Sequence, residues 1–161
     1  MDGSRLSGAD LVKVLTDIRT AVASVVDPEI PVLTIEDLGI LRSVETEGDR
    51  VVVTITPTYS GCPAMRQIED DVRAVLLREG FEDIEVLVTH NPPWTTDWMT
   101  EDARRQLEEF GIAPPTGMSE VICPRCREGN PRLIARFGST ACKALMVCAS
   151  CGEPFDYFKQ F

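Results

Sequence analysis

Apolar residues recur at helical spacing through Leu11, Val14, Leu15, Ile18, Val22 and Val25, which predicts an amphipathic helix ending at Pro28. Ser7, three residues ahead of Asp10, reads as a capping-box-like start. The segment 27–31 carries two prolines and is expected to be an irregular loop. The period then changes to two. Runs at 40–46 and 50–56, joined by Gly48-Asp49, predict a β-hairpin with Val51, Val53 and Ile55 on one face. Met65, Ile68, Val72, Val75 and Leu76 return to helical spacing up to Gly80, behind Pro63 at a first helical position and Cys62 at the cap. A third strand at 84–89 turns Ile84, Val86 and Val88 inward, and a short helix at 100–110 stops at Gly111. Helix, strand, strand, helix, strand, helix is the order of a small αββαβα sandwich of the α+β class.

That pattern ends at Pro114-Pro115-Thr116-Gly117, where neither helix nor strand continues comfortably. Beyond it, 133–137, 144–147 and 155–158 suit three short strands. The charge divides at the same place. Residues 1–115 hold 10 basic and 22 acidic side chains, whereas 116–161 hold 6 and 4, and five of the six cysteines lie in the second part. Two units are expected, 1–115 and 116–161.

The whole chain, 161 residues with 43% hydrophobic and 26% charged side chains and a net charge of −10, has the composition of a soluble globular protein. At this length about two-thirds of the unfolded surface can be buried, so disulfides are not needed to make a core. No stretch approaches the roughly 18 apolar residues of a membrane span, and Met1-Asp2-Gly3 opens no basic segment followed by an apolar run. A cytoplasmic protein that meets no membrane is the expectation, and there paired cysteines read as metal ligands or redox centres. The acidity argues against nucleic acid as a partner.

Cys123-Pro-Arg-Cys126 and Cys148-Ala-Ser-Cys151 are separated by 21 residues. Two residues between ligands let one tight turn aim both sulfurs at a single ion, and two such turns complete a tetrahedral site. Gly152 follows the second pair, where a positive φ is often needed. A zinc β-ribbon is expected, with structural metal replacing the core that so short a segment cannot build. Four thiolates do not by themselves choose the metal, so iron or an iron-sulfur cluster is an alternative, and a redox-active CxxC is another. Catalytic zinc is disfavoured because no coordination position stays open. Zinc with four thiolates carries −2 and cancels the +2 of this segment, which leaves no basic surface for nucleic acid.

Cys62 stands apart. At a helix N-terminus its thiolate is expected to be favoured, and such a sulfur can ligate iron, carry a persulfide or attack a disulfide; plain packing is the alternative. Asp27 and Glu29, flanking Pro28, either bind metal or keep the loop solvated. Cys142 reads as a small buried residue or, beside Lys143, as a second candidate thiolate. His90 has no visible catalytic partner. Trp94 and Trp98 are expected to staple the last helix to the sheet.

Asp27-Pro28-Glu29-Ile30-Pro31, Asp37-Leu38-Gly39 and Thr58-Tyr59-Ser60-Gly61-Cys62-Pro63 resemble the signatures of the metal-sulfur cluster assembly domain family of SufT-like proteins. Trp94-Thr95-Thr96-Asp97-Trp98, Gly111-Ile112-Ala113-Pro114-Pro115, the stretch 137–145 and the stretch 153–159 resemble the PaaD family of phenylacetate-degradation proteins, the D component of the phenylacetyl-CoA epoxidase system. The resemblance runs from about residue 10 onward. It implies an accessory factor without catalytic activity of its own, which helps assemble iron or iron-sulfur centres of an epoxidase. The implied partners are the di-iron oxygenase or the iron-sulfur reductase subunit, and a homodimer could pair two cargo sulfurs. Cys62 matches the family's cysteine and Asp27 and Glu29 its acidic loop, so these three are the implied site for transient iron or an iron-sulfur cluster. Gln160 stands where the resemblance implies cysteine, so a pairing of Cys142 with a terminal thiol does not carry over. Two rival classes remain. One is an electron-transfer subunit with iron in the four-cysteine cage, and the other is a thiol oxidoreductase. An oxygenase role is disfavoured because a single histidine cannot build a di-iron site.

Overall fold

The computed structural model describes residues 8–161. The capping box read at Ser7 lies outside them. Helix α1 (Gly8–Ala23) leads through the proline loop to the hairpin of β1 (Leu41–Glu47) and β2 (Arg50–Ile55). Helix α2 (Ala64–Arg78) then carries the chain back so that β3 (Ile84–Val88) pairs parallel to β2, with Val51 opposite Ile84 and Val53 opposite Val86. The sheet order is β1-β2-β3. The inward face of β2 behaves as its alternation requires. Val51, Val53 and Ile55 are fully buried against Ile18 and Val22 of α1 and Ile68, Val72 and Leu76 of α2. Val88 departs from expectation and is 39% exposed, because β3 is an edge strand with a neighbour on one side only.

Thr100 caps α3 (Glu101–Glu109), its hydroxyl accepting the Ala103 amide at 3.0 Å, and Glu101 and Asp102 complement the positive end of the helix. The chain then enters a second sheet earlier than the hydrophobic pattern suggests. Ile112–Ala113 form a two-residue strand, β4, parallel to β7 (Pro154–Phe158). With β5 (Arg132–Ala135) and β6 (Lys143–Val147) the order is β4-β7-β6-β5. A two-residue strand has no periodicity to read.

The two sheets share apolar material. Cys142 and Phe158 belong to the buried cluster that contains Val51 and Ile68. Trp94 is buried in one cluster with Ala103 and Leu107 of α3 and Ile55 of β2, and it reaches further than the expected staple. Its ring lies 6.1 Å from Phe158 and 6.0 Å from Phe161, and its indole N–H donates to the Leu38 carbonyl at 2.8 Å. Trp94 therefore joins the Asp37-Leu38-Gly39 turn to the second sheet. Trp98 is covered instead by the Arg42 guanidinium, 3.6 Å from its ring centre. Arg104 ties α3 to the same junction through the carbonyls of Pro115 (2.9 Å) and Thr96 (2.7 Å).

Candidate functional site

The four ribbon cysteines sit on two matching turns. Arg127 N–H donates to Cys123 O and Gly152 N–H to Cys148 O, both at 3.0 Å. Cys123 N–H and Cys148 N–H reach Glu128 O and Glu153 O at 2.9 and 2.8 Å. The residue after each pair has a positive φ, 67° at Arg127 and 74° at Gly152. Glycine signalled the second turn in the sequence, whereas arginine concealed the first. All four sulfurs lie within 4.8 Å of one another, with Cys123–Cys151 at 3.9 Å and Cys126–Cys148 at 3.5 Å. Tetrahedral coordination at about 2.3 Å requires sulfurs about 3.8 Å apart, so the donor set has the size a four-thiolate ion needs. Cys123 and Cys148 are buried in the small core of Val121, Met146, Phe155 and Tyr157. The geometry is that of a four-cysteine metal-binding group.

The second locus is built on the proline loop. A bridge between Val26 and Thr34 and the Asp27 N–H bond to Leu33 O at 2.9 Å close the loop, while Ile30 and Leu33 anchor it in the core. Asp27 is buried and accepts the backbone amides of Glu29 and Ile30, each at 2.8 Å. Burial pushes its carboxyl above the ordinary range, against the two amides and the Lys143 charge that favour the anion. Glu29 is pushed up by burial and by Asp27. A carboxyl raised in the folded state contributes least to stability above its folded pKa, since the unfolded chain ionises more easily. Stability should therefore fall as pH rises from about 4 through the folded Asp27 pKa. Asp27→Asn should remove that slope and still accept both amides. Asp27→Ala should lose the turn as well and unfold about 1–3 kcal/mol more readily than Asp27→Asn. Urea denaturation across this pH range reads both effects, and equal stability of the two variants would contradict the assignment.

Cys62 closes the turn after β2, its amide donating to Tyr59 O at 3.3 Å. Pro63 occupies the cap position of α2, so Cys62 lies one residue outside the place the sequence suggests. It is half-buried, between exposed Gly61 and exposed Pro63. The expected thiolate is not favoured. Burial raises the Cys62 pKa, Glu29 and Asp27 add to the rise, and the Ala64 amide and Tyr59 hydroxyl only partly offset it. Tyr59 is itself pushed up to about 12 by burial and by the charges of Cys62, Glu29 and Cys142. Cys142, from the loop before β6, thus enters the same neighbourhood although 80 residues of sequence separate it from Cys62. It is buried, with Thr140 Oγ1 at 3.0 Å, and burial also raises its pKa despite the charge of Lys143. Lys143 is buried, lies 3.5 Å from Asp156 and exerts its charge on both Asp27 and Glu29.

The locus therefore gathers two thiols, two carboxylates, one phenol and a buried ammonium from loops of the first part of the chain and from the start of β6. Among the described residues its donor atoms do not crowd as the ribbon sulfurs do. His90 is exposed after β3. Sequence reasoning missed Tyr59 and treated Lys143 only as a neighbour of Cys142. Both sit in the motifs that carried the resemblance, which was the signal available.

Two family models match separate stretches of the chain. The PaaD zinc beta ribbon domain matches residues 112–159, and the iron-sulfur cluster assembly protein domain matches 15–88. An Escherichia coli protein named as the D component of a 1,2-phenylacetyl-CoA epoxidase is 51% identical over 150 residues, 89% of this chain and 91% of that one. The chain belongs to the PaaD family. The assembly half has relatives of its own. An iron-sulfur protein maturation auxiliary factor of Porphyromonas gingivalis is 39% identical over 93 residues, 56% of this chain and 88% of that protein. The crystal structure of a DUF59 domain from Bacillus anthracis superposes with a TM-score of 0.55 at 33% identity, over 60% of this chain and 92% of that one. What distinguishes the PaaD family member from these smaller proteins is the ribbon, which here brings Cys142 and Lys143 into the neighbourhood of Cys62 and the acidic loop. No described helix is long and apolar enough to cross a membrane.

Proposed function

We propose that the protein is a maturation factor of a phenylacetyl-CoA epoxidase, in which Cys62 accepts iron or an iron-sulfur precursor and releases it to an epoxidase component. The observation that carries this reading is the placement of Cys62. It is a half-buried thiol on the turn before α2, near enough to Asp27 and Glu29 for their charges to act on it, and it is separate from the four cysteines of the ribbon. A cation entering beside Asp27 and Glu29 favours their anions and the Cys62 thiolate, whose proton is released to solvent, so cargo makes its own ligands. A thiolate with carboxylates is a donor set for a borderline ion such as iron(II), and a single reachable sulfur suits transfer better than storage. The ribbon holds zinc as a structural ion and serves as the docking platform. The di-iron oxygenase subunit or the iron-sulfur reductase subunit is the client, the factor has no catalytic activity of its own, and its place is the cytoplasm. The relatives named as an epoxidase component and as a maturation factor support this reading.

A strain whose only copy carries Cys62→Ser should accumulate the protein with its ribbon metal intact, yet yield epoxidase with less than about a tenth of wild-type activity and iron. Fully active epoxidase in that strain would remove the proposal.

A further inference from the structure

The outer strand of the second sheet, β5, has one neighbour, β6, and its other edge is open. Among the described residues, no backbone group of 132–135 makes a hydrogen bond outside that pairing. Its side chains are unusual for an open edge. Leu133 and Ile134 are 44% and 54% exposed, and Phe137, just beyond, is 68% exposed with Lys159 Nζ 4.6 Å from its ring centre. Exposed apolar groups on an open strand invite pairing with another chain, and charge on the strand is the usual protection. Here the charge is of one sign. Arg132 and Arg136 are exposed and, among the described residues, neither has an acidic partner.

A basic, apolar edge in a chain of net charge −10 selects an acidic occupant over a basic one. Other copies of this chain fit poorly. The acids at the β3 edge, Asp83 and Glu85, are already held by Arg50 at 3.0 and 3.3 Å. Pairing β5 with the β1 edge of another copy would be a head-to-tail contact, which grows into open assemblies unless the rotation closes.

We propose that the β5 edge docks an extended acidic segment of a client protein, added as a further strand to the second sheet. Leu133, Ile134 and Phe137 contact its apolar side chains, and Arg132, Arg136 and Lys159 its carboxylates. This is β-augmentation, in which main-chain hydrogen bonds supply affinity and alternate side chains supply choice. It concerns what docks and leaves open what Cys62 carries, so it stands or falls separately from the maturation reading.

The test uses the full chain and a fluorescent peptide of alternating Glu-Val-Asp-Val-Glu-Val, followed by anisotropy. Saturable binding is expected, weakened by at least about tenfold in the Arg132→Glu/Arg136→Glu variant, in high salt and on N-methylation of alternate peptide amides. A lysine-for-acid peptide should not bind, and unchanged ribbon metal content shows that the variant is folded. The proposal is overturned if no binding saturates by about 1 mM peptide, if the basic peptide binds equally, or if charge reversal has no effect. Self-association abolished by Ile134→Lys would also overturn it, by assigning the edge to a second copy.

Discussion

Chelating the ribbon metal, or replacing Cys148 by serine, is expected to unfold the second sheet and to lower the melting temperature of the remainder of the chain by about 10 °C. Binding of a four-thiolate ion is folding free energy for a segment of this size, worth about 10–16 kcal/mol in isolated zinc modules. Among the described residues the ribbon has only a small buried cluster besides its cysteines, centred on Met146, Phe155 and Tyr157. Loss of the ion should not stay local. Phe158 lies in the main core against Trp94, and Cys142 is buried in the same cluster, so an unfolded ribbon withdraws both. Withdrawal of one large aromatic side chain alone costs about 3–5 kcal/mol, and each kcal/mol moves the melting point of a chain this long by about 2–4 °C. Circular dichroism with and without chelator, with a two-dimensional NMR spectrum of the metal-free protein, measures both parts. Unshifted resonances from β6 and β7 after complete removal of metal would contradict the expectation. So would a first sheet that melts at an unchanged temperature.

Among the described residues, Gly39→Ala should be the most destabilising glycine substitution outside the ribbon, by about 2–5 kcal/mol. Gly39 has a φ of +70°, and a Cβ there would lie 2.6 Å from both the Cβ and the carbonyl oxygen of Trp98. Neither atom is the free end of a flexible side chain. The surrounding turn has little freedom to move, because the Gly39 amide donates to Glu36 O, Leu38 O accepts the Trp94 indole, and Thr100 N–H donates to Asp37 O. Gly61 is the control. Its φ is +82°, but a Cβ there would meet nothing within 4 Å, so Gly61→Ala bears only the left-handed strain of about 1–2 kcal/mol. Urea midpoints for the two variants give the comparison, and equal costs would show that the contact with Trp98 is not tight.

Much of this was legible in the residues. The hairpin, α2 and α3 fall within a residue or two of their expected limits, because hydrophobic period, proline and glycine act over a few residues. The two CxxC turns were legible for the same reason, since ligand spacing within a turn is a local quantity. The Cys62 locus was only partly legible. Asp27, Glu29 and Cys62 could be nominated by motif, but their ionisation could not, and the helix-end reasoning that favoured a Cys62 thiolate was outweighed by desolvation and by two carboxylates from another loop.

The sequence by itself determined the longer elements, their order, the four-cysteine cage and the names of the candidate ligands. Only the tertiary structure decided that β4 crosses into the second sheet, that Trp94 bridges the two halves, and that Cys142 and Lys143 arrive beside Cys62 and the acidic loop. The reason is physical. Burial and charge act through space, and neither the packing of Phe158 against Trp94 nor the field at Asp27 has any period along the chain.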